Sequence, residues 1–280
     1  MRRKTKDMVT DAISIALFIA VAAFIFVPIL WIISTSFMTR QDLASGEIVW
    51  IPMQPTLRSY VNVIYRDQFL RYFVNSTIVA VGVTLLSLAI AYPAAYAFSR
   101  YMHMKGMATL STSVMALWAM PAVLLILPYF IIFQTVRLYD THLGLIIAYV
   151  SLTLPISVWT LKGFFAGIPV DLEEAAMVDG CTRMGALVRI VFPTTLPGVA
   201  SAALLAFSNA WQDLVLALAL TSSEAVRTIP LGISMYFGYW GYYWPDVAAA
   251  CVFSIMPILV LYYVLQRFFV RGLTMGAVKG

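Results

Sequence analysis

The densest acidic cluster in this sequence is Asp171, Glu173, Glu174 and Asp179, set in the run Ile168-Pro-Val-Asp-Leu-Glu-Glu-Ala-Ala-Met-Val-Asp-Gly180. Asp171 followed three residues later by Glu174 has the form of a capping box, with acid at the positive end of a helix dipole. Gly180 suits the left-handed position just past a helix C-terminus. Between them fits a helix of about two turns, ~12 Å long at 1.5 Å per residue. Leu172, Ala175 and Ala176 fall at i, i+3 and i+4, so one mostly alanine face would let another surface approach the backbone closely. Thr182 is placed to cap a second short amphipathic helix, with Leu187, Val188 and Val191 on its apolar stripe and Pro193 at its end. Helices this short are marginal alone in water, so both must pack against their own domain or a partner.

A second, looser set consists of Tyr149, Ser151, Asn209 and Asp213. Tyr149, Ser151 and Asn209 could offer hydroxyl or amide contacts to a polyol, and Asp213, as an ionisable residue at membrane depth, is a functional candidate by default. Polar side chains also serve as interhelical glue, and Asp213 could equally bond within the helix bundle. No nucleophile–base pair is identifiable, and His103, His142, Cys181 and Cys251 stand too far apart for a metal or disulfide pattern. No Gly-x-x-x-x-Gly-Lys-Ser/Thr loop is present, so any ATP hydrolysis must be done by another polypeptide.

The elements that position these residues are apolar. Of 280 residues 62% are hydrophobic and only 11% charged, too few to cover a water-facing surface. The net charge of +5 comes without a basic patch interleaved with aromatics, which argues against nucleic acid. Uncharged runs give spans at about 12–37, 72–98, 107–135, 143–161, 196–220 and 247–266, each long enough to cross a bilayer as a helix. Prolines at 28, 93, 121, 128, 155 and 257 lie inside the runs and are expected as kinks. The basic N-terminus precedes an apolar run too long for a signal peptide, which reads as a retained first helix.

With six spans, twelve Lys and Arg residues fall on the side holding both termini and six on the other, which puts both termini in the cytoplasm. The acidic segment, residues 166–195, is then cytoplasmic. The first external loop, about residues 40–68, carries Pro52 and Pro55 and is expected as a small ordered cap. The aromatic stretch 236–244 reads as an interfacial belt or as a surface for a binding protein or sugar rings.

Glu174-Ala-Ala, then Asp179-Gly180, nine intervening residues, Ile190, Phe192-Pro193 and Pro197 resemble the EAA signature of ABC importer permeases. Cys181, Leu187 and Phe192 depart from the commonest pattern while keeping size or apolarity roughly. Leu154-Pro155, Trp159, Gly163-Phe164-Phe165, Trp211-Gln212-Asp213 and the closing Gly272 to Gly280 resemble the carbohydrate-uptake, maltose-type branch.

The resemblance implies an all-α, polytopic type I importer permease forming a single transmembrane domain over 1–280, in the bacterial cytoplasmic (inner) membrane. It implies that Asp171, Glu174, Ala175, Ala176, Asp179 and Gly180 form a coupling helix against a separate ATPase. The implied partners are a second homologous permease, two ATP-binding subunits, an extracytoplasmic solute-binding protein, membrane lipid and a small carbohydrate. It implies no cofactor in this chain, with ATP and Mg on the partner ATPases. The alternatives are a proton-coupled secondary transporter using Asp213, a scaffold or channel, and an importer of a non-sugar solute such as a glycerol phosphate or a polyol.

Overall fold

The computed structural model describes residues 2–44, 49–65, 68–236 and 243–276. Among them every regular element is a helix: α1 (Arg2–Ser36), α2 (Arg40–Ala44), α3 (Arg58–Tyr65), α4 (Phe69–Arg100), α5 (Met107–Trp118), α6 (Ile126–Thr135), α7 (His142–Ala166), α8 (Asp171–Val178), α9 (Arg183–Ala186), α10 (Phe192–Gln212), α11 (Val215–Leu220), α12 (Ile229–Met235) and α13 (Trp244–Gly276). Five of the helices, or helix runs, are long and apolar enough to cross a membrane, and a sixth span arises if the bent pair α5–α6 counts as one.

The chain divides into two compact units, Met1–Phe69 with Met235–Ile255, and Leu70–Ser234 with Met256–Gly280. In the first, α1 exposes apolar side chains all round, Leu17, Phe18 and Phe24 among them, as a helix bathed in lipid does. The expected cap is ordered in its described part. Thr39 and Asp42 bond reciprocally across the first turn of α2, while the Ser36 hydroxyl meets Tyr60 at 2.7 Å and Tyr60 packs edge-on to Phe253. Residues 45–48 and 66–67, most of the aromatic stretch (237–242) and the closing residues 277–280 lie outside the described residues.

The second unit is built on α10 against α7. Gly198, Ala202, Ala206 and Ala210 recur every fourth residue on α10 and are all buried, a small-residue stripe of the kind that lets membrane helices approach closely. Pro93, Pro155, Pro197 and Pro257 sit inside continuous helices. Pro121 does not: it precedes a single 3₁₀ turn, Ala122–Leu125, and α5 and α6 meet there at 95°. The expected third span is therefore broken in the middle.

Two further boundaries differ from the sequence reading. Pro193 does not end the second short helix. A wider π turn, Leu187–Val191, carries the chain from α9 into α10, directly ahead of the point where the Pro193 ring would press on the carbonyl four residues back. The fifth span is not continuous to residue 220. Asp213 takes an extended backbone (φ −69°, ψ 126°) and closes α10, and its carboxylate accepts the Leu216 N–H at 2.9 Å to start α11.

Candidate functional site

The segment linking α7 to α10 folds as a helical hairpin. Ile168 precedes a proline, which disfavours helical backbone there, and α7 stops at Ala166. α8 then carries Asp171, Glu173 and Glu174 in its first turn. The expected capping box does not form. The chain is already helical at Val170, so Asp171 falls inside the helix and its side chain caps nothing, while the Glu174 N–H bonds the Val170 carbonyl at 3.1 Å. Gly180 is left-handed as expected, at φ +87°. Thr182 caps α9 as expected, its hydroxyl accepting the Gly185 N–H at 3.1 Å.

Burial divides the acidic cluster in a way its spacing concealed. Glu173 and Ala176 are buried, whereas Asp171, Leu172, Glu174, Ala175, Val178, Asp179 and Gly180 are exposed. Ala175 and Ala176 therefore face different surroundings, and the supposed single alanine face is split between the domain core and the outside. The core under the hairpin is formed by Tyr96, Phe98, Phe165, Leu187 and Val191, with Phe165 fully buried.

Glu173 was missing from the sequence-derived site set, yet it is the residue that anchors α8. Its Oε1 receives Arg100 Nε at 2.8 Å and Nη2 at 2.7 Å, and its Oε2 receives the Tyr96 hydroxyl at 2.6 Å. The same guanidinium donates to the Phe165 carbonyl at 3.2 Å and the Ile168 carbonyl at 3.1 Å. Arg100 thus caps the negative end of α7 while Glu173 sits at the positive end of α8, so both helix dipoles favour the pair. The side chains of both are over nine-tenths buried. Removing one partner of such a pair costs about 3–5 kcal/mol, because the other charge is stranded. The signal available in the sequence was geometric: residues 173 and 176 share a helix face that 174 and 175 do not.

The looser set does not form one site. Tyr149 is buried, and its hydroxyl reaches the Asp213 backbone carbonyl at 3.5 Å. Ser151 lies two residues on, which turns it to the opposite side of α7, where it is exposed and bonds the Tyr129 hydroxyl. Asn209 is exposed and its amide donates to Leu205 of its own helix at 2.8 Å. Asp213 acts as a helix cap.

On the far side of this unit the stretch from Thr221 to Thr228 is held at several points. The Asn75 amide donates to the Ala225 carbonyl at 3.0 Å and the Arg227 carbonyl at 2.9 Å. Asp140 Oδ1 accepts the N–H groups of Ser222 and Ser223 at 2.9 and 3.1 Å. Burial raises the Asp140 carboxyl, but those two N–H groups with the serine hydroxyls outweigh it and hold its pKa below the usual value.

Residues 87–275 match the family model described as "Binding-protein-dependent transport system inner membrane component". The chain is 41% identical over 254 residues to the sulfoquinovosyl glycerol transport system permease protein SmoH of Agrobacterium fabrum, covering 90% of this chain and 88% of that one. It is 35% identical over 262 residues to the trehalose transport system permease protein SugB of Mycobacterium tuberculosis, covering 93% and 94%. A chain of a crystallised bacterial ABC transporter involved in alginate import superposes with a TM-score of 0.79 at 22% identity, covering 94% of this chain and 98% of that one, and so shares its fold. The chain belongs to the family of inner membrane components of binding-protein-dependent transport systems.

Proposed function

We propose that this chain is the permease subunit of an ATP-driven importer of a carbohydrate or carbohydrate conjugate, spanning a bacterial cytoplasmic membrane with both termini inside. It works with a second permease, two ATP-binding subunits and an extracytoplasmic binding protein. The observation that carries this reading is the two-faced helix α8, fixed inward by Glu173 and open outward at Leu172, Glu174, Ala175 and Val178. Apolar residues left exposed at Val178, Met184 and Val188 continue that face along the hairpin, the form expected of a docking surface for another subunit. Asp171, Glu174, Ala175, Asp179 and Gly180 then meet the ATP-binding subunit, and Ala176 supports them from within. Closure of the ATP-binding pair draws the coupling helices together and turns the membrane helices from inward-facing to outward-facing. The carbohydrate assignment is carried over from relatives named for sulfoquinovosyl glycerol and trehalose. Of the residues considered for the solute path, Asn209 and Ser151 are the exposed ones.

Purification of the complex with its neighbouring-gene subunits tests the reading, with ATP hydrolysis measured against trehalose, sulfoquinovosyl glycerol and glycerol 3-phosphate. Stimulation by one of the first two is expected. Stimulation by glycerol 3-phosphate alone overturns the carbohydrate assignment. Glu174→Lys and Gly180→Arg are expected to lower stimulation, and unchanged stimulation and assembly in both sinks the coupling role of α8. The Asp213 carboxylate accepts the Leu216 N–H as a helix cap, a structural role that needs no proton transfer.

A further inference from the structure

The cytoplasmic end of α4 touches every part of the hairpin's base. Arg100, its last residue, bonds Glu173 on α8 and two carbonyls at the end of α7. The next residue, Tyr101, accepts from Arg183 of α9 through its hydroxyl, with the guanidinium also 5.5 Å from its ring centroid. Tyr96, one turn earlier on α4, closes the second oxygen of Glu173. Helices α4, α7 and α8 are therefore tied together by one planar cation. A lysine, with a single nitrogen, cannot reproduce that fork, which holds one carboxylate and two carbonyls at once.

We infer that Arg100 is the positioning residue of the coupling helix, locking α8 to α4 and to the end of α7 so that the three move as one body when the ATP-binding subunits close. The inference rests on the proposed coupling role of α8 and adds to it the part of this chain that receives the motion. Without such a lock, a two-turn helix on a short linker would tilt under load and leave the spans behind. The buried charge pair suits the task because it has one low-energy arrangement: sliding α8 past α4 would strand both charges away from water.

The test uses the assembled complex with Cys181→Ala and Cys251→Ala, and spin labels at Ile90 on α4 and Val170 at the start of α8, both exposed and neither on the proposed docking face. Without Arg100 or Glu173 altered, the label distance is expected as one narrow peak, unchanged between the nucleotide-free and the ATP–vanadate state. In Arg100→Lys and Glu173→Gln that single peak is expected to broaden or split, in complexes that still hydrolyse ATP. A single unbroadened peak in both variants overturns the inference, and so does an unaltered lock whose peak shifts with ATP–vanadate. Should the two variants fail to assemble, Tyr96→Phe carries the test. It removes one hydroxyl, and a peak as narrow as before then marks the cluster as a folding element only. Absence of vanadate-sensitive ATP hydrolysis in the complex with the lock intact would instead count against the importer reading itself.

Discussion

Asn75 and His142, on α4 and α7, share a 2.9 Å hydrogen bond between the Asn75 amide oxygen and His142 Nε2. The two carbonyls of Ala225 and Arg227 hold the Asn75 NH2 group, which turns the amide oxygen to His142; that oxygen only accepts, so the proton of the shared bond belongs to His142 Nε2. One buried amide thus fixes a histidine tautomer and the path of the chain after α11. Asn75→Leu leaves two carbonyls and a ring N–H unmet. It is expected to cost about 1–3 kcal/mol, since Asn75 is buried and water only partly replaces the bonds its half-exposed partners lose. His142→Ala leaves one acceptor unmet and should cost less. Thermal unfolding in detergent gives the ranking, and a His142 variant worse than the Asn75 variant contradicts it.

Asp140 supplies a pH-dependent prediction outside the spans. Its folded-state pKa is depressed, so its contribution is present above the unfolded value and is lost as pH falls through the folded one. Asp140→Asn is the clean replacement, because the backbone there is left-handed at φ +56° and asparagine tolerates that region. The variant is expected to melt below the parent at neutral pH, with the gap closing as pH drops below about 4. A gap that is constant with pH would show that shape rather than charge carries the contact.

The spans were legible because hydrophobicity and charge spacing are properties of the sequence alone. The breaks inside them were not. Pro121 and Asp213 both interrupt apolar runs, yet Pro93 and Pro155 sit inside continuous helices, and no local residue pattern separates the two outcomes. The hairpin's caps at Gly180 and Thr182 were readable from local chemistry. The Glu173 anchor was hidden, since its partners Arg100 and Tyr96 lie 73 and 77 residues away and no local pattern announces them. For the same reason Tyr149, Ser151, Asn209 and Asp213 read as one polar set in the sequence but divide among three roles in the fold.

Two glycines near each other in the fold give opposite expectations. A Cβ on Gly198 of α10 would lie 2.5 Å from Phe164 Cγ and 2.8 Å from its Cβ, atoms too close to the backbone to swing away. Gly198→Ala is expected to cost about 1–3 kcal/mol by overpacking. Gly163, one residue before Phe164 in α7, has nothing within 4 Å of its position for a Cβ. Gly163→Ala should be neutral or stabilising by up to about 1 kcal/mol, since glycine is the poorer residue in a helix interior. The comparison is made by thermal unfolding of the two single variants. Equal destabilisation would mean that α7 and α10 are not held as closely as the geometry requires.

Gly180 separates strain within the chain from contact with a partner. Its φ of +87° disfavours any side chain, while among the described residues nothing beyond its chain neighbours lies within 4 Å of a Cβ placed there. In the isolated chain Gly180→Ala should therefore cost about 1–2 kcal/mol through backbone conformation alone. Gly180→Asn should cost less, because asparagine visits the left-handed region more readily. The order Gly, Asn, Ala is expected for the melting of this chain by itself. In the complex the order should change if a subunit closes over α8, because asparagine then brings a larger side chain into the interface than alanine does. Solute-stimulated ATP hydrolysis that falls further for Gly180→Asn than for Gly180→Ala would locate the partner's surface against the end of α8. The same order in both measurements would confine the role of Gly180 to the turn it makes.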